Sequence, residues 1–152
     1  MIQSYIGLEF LKDLEFCKLN AYLDEAGVAT IGYGSTRYED GKKVKLGDKI
    51  SQEIADNLLA LECDGIVSRL QQIVNKELNQ NQIDSLVSFC YNVGVQGFKT
   101  SSLLKAINLG GVVTKDLFTR WDKYHKDGML LESKGLKVRR VKEFNLFTKP
   151  ME

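Results

Sequence analysis

The spacing of apolar side chains divides the chain into a helical start, a short alternating region and a long helical remainder. Leu8, Leu11 and Leu14 recur at helical spacing and predict a helix over about residues 3–16. Residues 17–50 alternate over short stretches and contain the turn signals EDGKK and LGDK, which predict a hairpin or a three-stranded sheet. Apolar residues at helical spacing then predict further helices over about residues 51–74, 79–94, 101–109, 115–125 and 137–147.

Residues that begin and end helices sharpen two of these boundaries. Ser51 is a typical N-cap, and Glu53 lies in the first turn, where the helix dipole favours a carboxylate. Asn79 and Gln82 have the spacing of a capping box, and Gly94 is a typical C-terminal stop.

This order of elements predicts one domain over residues 1–152 of the α+β class, predominantly α. We expect a small β lobe over about residues 17–50 and a helical lobe over about residues 51–152. The first helix, residues 3–16, is expected to pack on the helical lobe. A chain of 152 residues with 43% hydrophobic composition is long enough to bury a core.

Composition limits where the protein acts and what it binds. No apolar run approaches the roughly 18 residues of a membrane span, and Glu9, Asp13 and Glu15 interrupt the stretch that a signal peptide needs. We therefore expect no signal peptide, no stable membrane insertion and a cytoplasmic location. A net charge of +1 argues against nucleic-acid binding. The C-terminal part from residue 120 is basic, which suits either a solvated face or an anionic surface such as a cell wall.

The cysteines indicate neither a metal site nor a disulfide framework. Cys17, Cys63 and Cys90 are odd in number and widely spaced. Cys63 and Cys90 lie within helical patterns, so we expect them to be buried as small apolar side chains. Cys17 follows Glu15 by two residues, which leaves a redox or nucleophilic role conceivable.

The stretch LDEAGVATIGYGST, residues 23–36, has almost no side-chain bulk on one face. That face is formed by Val28, Thr30, Gly32 and Gly34. Glycine weakens a strand, so such a face needs a reason other than sheet stability. Either a ligand lies against it, or the glycines mark a bulge or a corner.

Three polar residues around this stretch form a possible catalytic set. Glu15 continues the apolar stripe of the first helix, and losing water there would favour the protonated form that a general acid needs. Asp24 lies in a loop and should stay ionised, while the hydroxyl of Thr30 could hold a water molecule. Two carboxyls in unlike environments are what glycoside hydrolysis requires. The alternative is a surface glutamate followed by a turn aspartate.

The same residues carry a family resemblance. LEFCKLNAYLDEAGVATIGYGST resembles the start of the phage lysozymes, the muramidases of glycoside hydrolase family 24, whose pattern there is AYxDxxGxxTIGYGHT. Glu15, Asp24 and Thr30 match the family's catalytic residues in type and spacing. The resemblance continues through GDKIS, LNQNQIDSLVSFCYNVG, FKTSSLLKAINLG, FTRWDKY and GLKVRRVKEFNLF, and so covers essentially the whole chain.

The resemblance implies a lysozyme-like two-lobe fold and cleavage of the β-1,4 bond between N-acetylmuramic acid and N-acetylglucosamine. Glu15 would protonate the leaving oxygen, while Asp24 and Thr30 would activate the attacking water. The expected outcome is inversion, for which two carboxyls stand roughly 6.5–9.5 Å apart. No metal and no organic cofactor are implied.

Further roles follow from the resemblance. Gly32, Tyr33, Gly34 and Tyr22 would line the substrate groove. Arg139 would approach the catalytic glutamate, with neighbouring Arg140 as the second candidate and a surface position for both as the alternative. The expected partner is bacterial peptidoglycan, reached by a monomer in the periplasm after a holin has opened the host membrane.

Two departures from the family pattern bear on activity. Phe16 replaces a glycine after the catalytic glutamate and must turn elsewhere, for example into the core. Ser35 replaces a histidine, which we expect to alter support of the β lobe rather than the chemistry. These departures leave open a catalytically silent peptidoglycan binder or regulator on the same fold. A transglycosylase or chitin-active relative would share the groove.

Two other features receive modest interpretations. His125, the single histidine, is expected at the surface. Phe118, Trp121 and Tyr124 recur at helical spacing and are expected in the core rather than as a platform for sugars.

Overall fold

All 152 residues are described by a computed structural model, in which the chain divides into two compact units. Leu8–Gly65 forms the N-terminal unit, and Met1–Gly7 together with Ile66–Glu152 forms the C-terminal unit. Helices account for 51% of the chain, which confirms the predicted α+β, predominantly α class. The assignment of all residues to a single domain stays a prediction.

The predicted β region contains a hairpin rather than a three-stranded sheet. Helix α1, Tyr5–Leu14, is followed by strands β1, Lys18–Leu23, and β2, Ala29–Gly32, which pair antiparallel. A register shift between Lys18 and Tyr22 marks a bulge in β1. Buried apolar side chains of this unit include Leu11, Ile31, Val44, Ile50, Ala55 and Leu59.

Helix α2, Gln52–Ile73, begins where its capping residue predicts. The backbone N–H of Ile54 donates to the Ser51 hydroxyl over 3.2 Å, so Ser51 caps the helix as expected. Helix α3, Gln80–Val93, begins with the predicted capping box, in which Asn79 and Gln82 satisfy each other's backbone amides, and it ends at Gly94.

The remaining elements all lie in the C-terminal unit. They are α4, Val95–Lys99; α5, Ser102–Asn108; α6, Lys115–Thr119; β3, Lys123–Lys126; β4, Met129–Glu132; and α7, Lys134–Thr148. The core of the unit is aromatic, with the Phe89 ring 5.9 Å from Phe98 and 5.7 Å from Phe118 in edge-on contacts. Cys63 and Cys90 are buried, as predicted. None of the helices has the length and hydrophobicity that crossing a bilayer requires.

The predicted helix over residues 115–125 is wrong beyond Thr119. Residues 123–126 instead form β3 of a second hairpin, whose turn places Asp127 and Gly128 at φ values of 51° and 76°. Positive φ at both central residues is the geometry of a tight hairpin turn that Asp-Gly favours. Phe118 is buried as expected, but Tyr124 is 39% exposed, on a strand whose four residues are all exposed.

A buried aspartate fixes the start of α1. The Asp84 carboxylate accepts the Ser4 N–H over 2.9 Å, and it also accepts the Ser4 hydroxyl. The Ser4 oxygen in turn accepts the Gly7 N–H over 2.9 Å, which caps the helix. A Cβ at Gly7 would lie 2.3 Å from Cγ of Asp84, so glycine is required there.

We predict that Gly7→Ala destabilises the protein by about 1–3 kcal/mol, because the added methyl group overpacks a bonded carboxylate. Gly65→Ala is the matched control, since a Cβ there meets nothing within 4 Å. In helix α2 that change should stabilise by about 0.5–1 kcal/mol. Urea unfolding of both variants measures the difference; equal stabilities would contradict the packing at Gly7.

Candidate functional site

Asp24 occupies the turn between β1 and β2 and holds that turn together. Its Oδ1 accepts the backbone N–H groups of Ala26 and Val28, each over 2.9 Å. Its own N–H donates to the Val28 carbonyl over 3.0 Å, and its carbonyl accepts the Gly27 N–H over 2.9 Å. The side chain is exposed, and Oδ2 has no protein partner. One oxygen of the carboxylate is therefore fixed, while the other is available to a ligand or a water.

Thr30 is hydrogen-bonded to the backbone carbonyl of Val28, which also accepts the Asp24 N–H. Its hydroxyl donates to the Val28 carbonyl over 2.9 Å, and the residue is only 4% exposed. Because the hydroxyl proton is already donated, Oγ1 can act toward a ligand or a water only as an acceptor. The backbone of Val28 thus links the two side chains, because its N–H bonds the Asp24 carboxylate and its carbonyl bonds the Thr30 hydroxyl.

Glu15 lies immediately after α1 rather than within it. Its N–H donates to the carbonyls of Leu11 and Lys12 over 3.1 and 3.3 Å, which extends the last turn by one residue. The side chain is partly buried, whereas that of Asp24 is exposed. The two carboxyls therefore differ in exposure in the direction that the sequence predicts.

The bare strand face has a structural cause at Gly32. Its φ of 64° is in the left-handed region, and a Cβ there would lie 3.4 Å from Cβ of Ala55. Gly32 therefore marks a corner where β2 approaches α2. Gly34, with φ 108°, is exposed. Contact of either glycine with a substrate stays a prediction.

The two tyrosines have different surroundings. Tyr22 is the cross-strand partner of Thr30, so the two side chains project from the same face of the hairpin. Lys18 places its ammonium group 4.4 Å from the Tyr22 ring centroid. Tyr33 is 7% exposed, and its hydroxyl donates to Asp56 over 3.2 Å. Tyr22 is thus the more accessible of the two, and a substrate role for both stays a prediction.

The two departures from the family pattern occupy opposite environments. Phe16 is 88% exposed, so the expectation that it turns into the core is wrong. Helix α1 ends at Leu14, and the apolar stripe therefore does not extend to Phe16. Ser35 is fully buried and exchanges backbone hydrogen bonds of 2.9 Å with Ile31, while its hydroxyl has no partner. Ser35 supports the end of β2 through its backbone.

Arg139 and Arg140 are buried, which rules out the surface alternative. Glu143 lies between them, 3.2 Å from Arg139 Nε and 2.7 Å from Arg140 Nε, and it is itself 0% exposed. The Ser88 hydroxyl also donates to the Glu143 carboxylate. These contacts explain how two guanidinium groups tolerate burial. The role of Arg139 beside the catalytic glutamate stays a prediction.

Sequence reasoning missed Glu143, although a local signal was present. Its positions three residues after Arg140 and four after Arg139 are those at which helix side chains meet. Opposite charges at that spacing within one predicted helix are a usable signal of an ion cluster.

A recess of about 670 Å³ in the C-terminal unit was also missed. Its lining includes Asn92, Trp121, Tyr124 and His125. The buried Arg140 donates to Asn92 Oδ1 over 2.7 Å, which leaves the Asn92 NH₂ group to donate to a ligand. Aromatic side chains beside an oriented amide suit a sugar ring. His125 is exposed, as expected.

Comparison with known proteins gives consistent matches. The Phage lysozyme family model matches residues 12–143. The endolysin of Acyrthosiphon pisum secondary endosymbiont phage 1 is 34% identical over 142 residues, covering 93% of this chain and 94% of the relative. The endolysin of Salmonella phage P22 is 36% identical over 126 residues, covering 82% and 86%.

A solved structure extends the likeness to the fold. The endolysin from Escherichia coli O157:H7 phage FAHEc1 superposes with a TM-score of 0.90 and 36% identity, covering 97% of this chain and 94% of that one. The lysozyme-like fold that the motifs imply is confirmed by this match.

The two hydrogen bonds that Asp24 Oδ1 accepts predict different effects for two substitutions. Asp24→Asn keeps an acceptor oxygen at the turn, so the midpoint of thermal unfolding should change little. Asp24→Ala leaves both amides without their acceptor and should lower the midpoint by about 2–5 °C. Thermal unfolding followed by circular dichroism measures both, and an equal loss in the two variants would contradict the structural role of the oxygen.

Proposed function

Because the chain belongs to the phage lysozyme family, we propose that it hydrolyses the β-1,4 bond between N-acetylmuramic acid and N-acetylglucosamine in bacterial peptidoglycan. One observation carries the proposal. The backbone of one residue, Val28, bonds a carboxylate with one free oxygen through its N–H and, through its carbonyl, a hydroxyl that can then only accept. That pair is suited to hold and deprotonate one water molecule.

Glu15 is the general acid in this mechanism. Its partly buried carboxyl follows the last turn of α1, directly before the hairpin that carries Asp24 and Thr30. It gives its proton to the glycosidic oxygen as the bond to the anomeric carbon breaks, so the leaving sugar departs as a neutral alcohol.

Asp24 and Thr30 act on the attacking water. The water donates one hydrogen to Thr30 Oγ1 and the other to the free Oδ2 of Asp24, which directs an oxygen lone pair at the anomeric carbon. Asp24 takes up a proton as the new carbon–oxygen bond forms. The displacement occurs in one step on the face opposite the leaving group and therefore inverts the anomeric centre.

The substrate contacts that we propose extend beyond the reacting atoms. Tyr22, next to Thr30 across the hairpin, supplies an aromatic surface, and Gly32, Tyr33 and Gly34 line the groove beside it. The Asn92 amide in the C-terminal recess suits the carbonyl of an N-acetyl group. A supporting role for Arg139, which is held by Glu143, is part of the same proposal.

The proposed biological role is host lysis. The protein would act as a monomer on peptidoglycan and would reach it after a holin has opened the cytoplasmic membrane. The exposed carboxylate, the bonded threonine and the partly buried glutamate together favour an enzyme over a silent wall binder on the same fold.

We predict that Glu15→Gln lowers the lytic rate by about 10²–10⁴-fold, the usual contribution of a general acid. Glutamine has the same shape, so the midpoint of thermal unfolding should stay within a few degrees of the wild-type value. Clearing of permeabilised Gram-negative cells, followed by turbidity, measures the rate.

Asp13→Asn is the matched control, because Asp13 is an exposed carboxylate two residues earlier. It should clear cells at the wild-type rate. Full activity of Glu15→Gln would remove this residue from the mechanism. Wall binding by a wild-type protein that clears no cells would instead establish the silent binder.

A further inference from the structure

We propose that Asp56 is a positioning residue that fastens both ends of residues 12–33, the active segment, which carries the three proposed catalytic residues. The catalytic consequence rests on the proposed function, whereas the fastening itself can be tested without it. Every contact that carries the inference lies within the N-terminal unit.

The first end of the active segment is held through Lys12. Its ammonium nitrogen lies 3.3 Å from Asp56 Oδ2 and 3.3 Å from Glu9 Oε1. Lys12 is in the last turn of α1, three residues before Glu15, and its side chain is only 18% exposed. Asp56 therefore fixes the turn from which Glu15 projects.

The second end is held through Tyr33, which directly follows β2. Its hydroxyl donates to Asp56 Oδ1 over 3.2 Å and accepts from Gln52 Nε2 over 3.1 Å. Gln52 also donates to Asp56 Oδ1 over 2.9 Å. Tyr33 is three residues beyond Thr30, so this contact fixes the strand that carries the hydroxyl.

The Asp56 carboxylate thus divides its two oxygens between the two ends. Burial alone would raise the pKa of Asp56, but the hydrogen bonds from Gln52, Lys12 and Tyr33 outweigh it and hold that pKa below its ordinary value. The group is therefore ionised at neutral pH, as its pairing with Lys12 requires. Because Asp56 belongs to the 22-residue helix α2, both ends are tied to one rigid element.

Loss of this carboxylate should affect catalysis more than substrate binding. Lys12 would keep only Glu9, and the turn before Glu15 would move relative to the hairpin that holds Asp24. A displacement of about 1 Å can cost about 10²-fold in rate. In Asp56→Asn the remaining amide oxygen can still accept from Tyr33, so the residues proposed to hold the sugar stay in place and the expected change is in kcat rather than in KM.

Asp56→Asn is the test variant and Glu53→Gln its control. The amide oxygen of asparagine can still accept from Tyr33. The amide nitrogen that replaces Oδ2 carries hydrogens and cannot accept from Lys12. Glu53 is an exposed carboxylate in the first turn of the same helix, with no hydrogen-bond partner. With solubilised peptidoglycan strands, Asp56→Asn should lower kcat at least roughly tenfold with KM within about twofold. Glu53→Gln should leave both unchanged.

The reactivity of the Cys17 thiol measures how firmly Asp56 holds the active segment, independently of catalytic activity. Cys17 lies inside the active segment, 3.8 Å from Gln52 Nε2, and is partly exposed. Cys63 and Cys90 are buried, and burial raises the pKa of the Cys63 thiol to about 12. Modification of the folded protein by a disulfide reagent should therefore proceed at Cys17, and Cys17→Ser should abolish it.

Asp56→Asn should raise the Cys17 modification rate roughly threefold or more, because the segment opens locally more often. Glu53→Gln should not. In a Glu15→Gln background, Asp56→Asn should cause no further loss of activity.

An unchanged Cys17 rate, or a kcat loss that merely follows loss of folded protein, would overturn the inference. Full activity of Glu15→Gln alone would overturn the proposed function instead, and the thiol rate would still decide whether Asp56 fastens the segment.

Discussion

The hydrogen bonds between Asp24 and the backbone N–H and carbonyl of Val28 are the interaction on which the rest of the site depends. They make the candidate catalytic carboxylate a structural part of the hairpin turn, with Oδ1 committed to two backbone amides. The backbone carbonyl of Val28 accepts a hydrogen bond from the hydroxyl of Thr30. The positions of base and hydroxyl are therefore set by backbone geometry, which loses little additional entropy when a substrate binds.

The same device recurs elsewhere in the chain. Asp56, Asp84 and Glu143 each bond two or more partners, some distant in the sequence and some on an adjacent turn of the same helix. Asp84 and Glu143 are almost completely buried, so each would be costly without those partners. In each case a charged group fixes where a segment of the chain lies. This use of carboxylates suits a small protein whose proposed catalytic groups require defined positions.

The sequence predicted those features that depend on nearby residues. The caps at Ser51 and Asn79, the first hairpin, and the contrast between a drier Glu15 and an exposed Asp24 all follow from local patterns. The second hairpin was missed because the aromatic spacing around Trp121 outweighed the Asp-Gly turn that follows. Gln52 lies one turn before Asp56 on α2, so this contact follows from helical spacing. Lys12 and Tyr33 could not be predicted as partners of Asp56, since only the folded chain brings them to α2.

In the proposed mechanism, Asp24 and Thr30 direct a water molecule at the anomeric carbon in a single displacement. The most direct test is the configuration of the new reducing end, measured by proton NMR on a defined peptidoglycan oligosaccharide before mutarotation. A single displacement should give the α-anomer first from the β-linked substrate. Initial formation of the β-anomer, or of a non-reducing anhydro sugar, would contradict it.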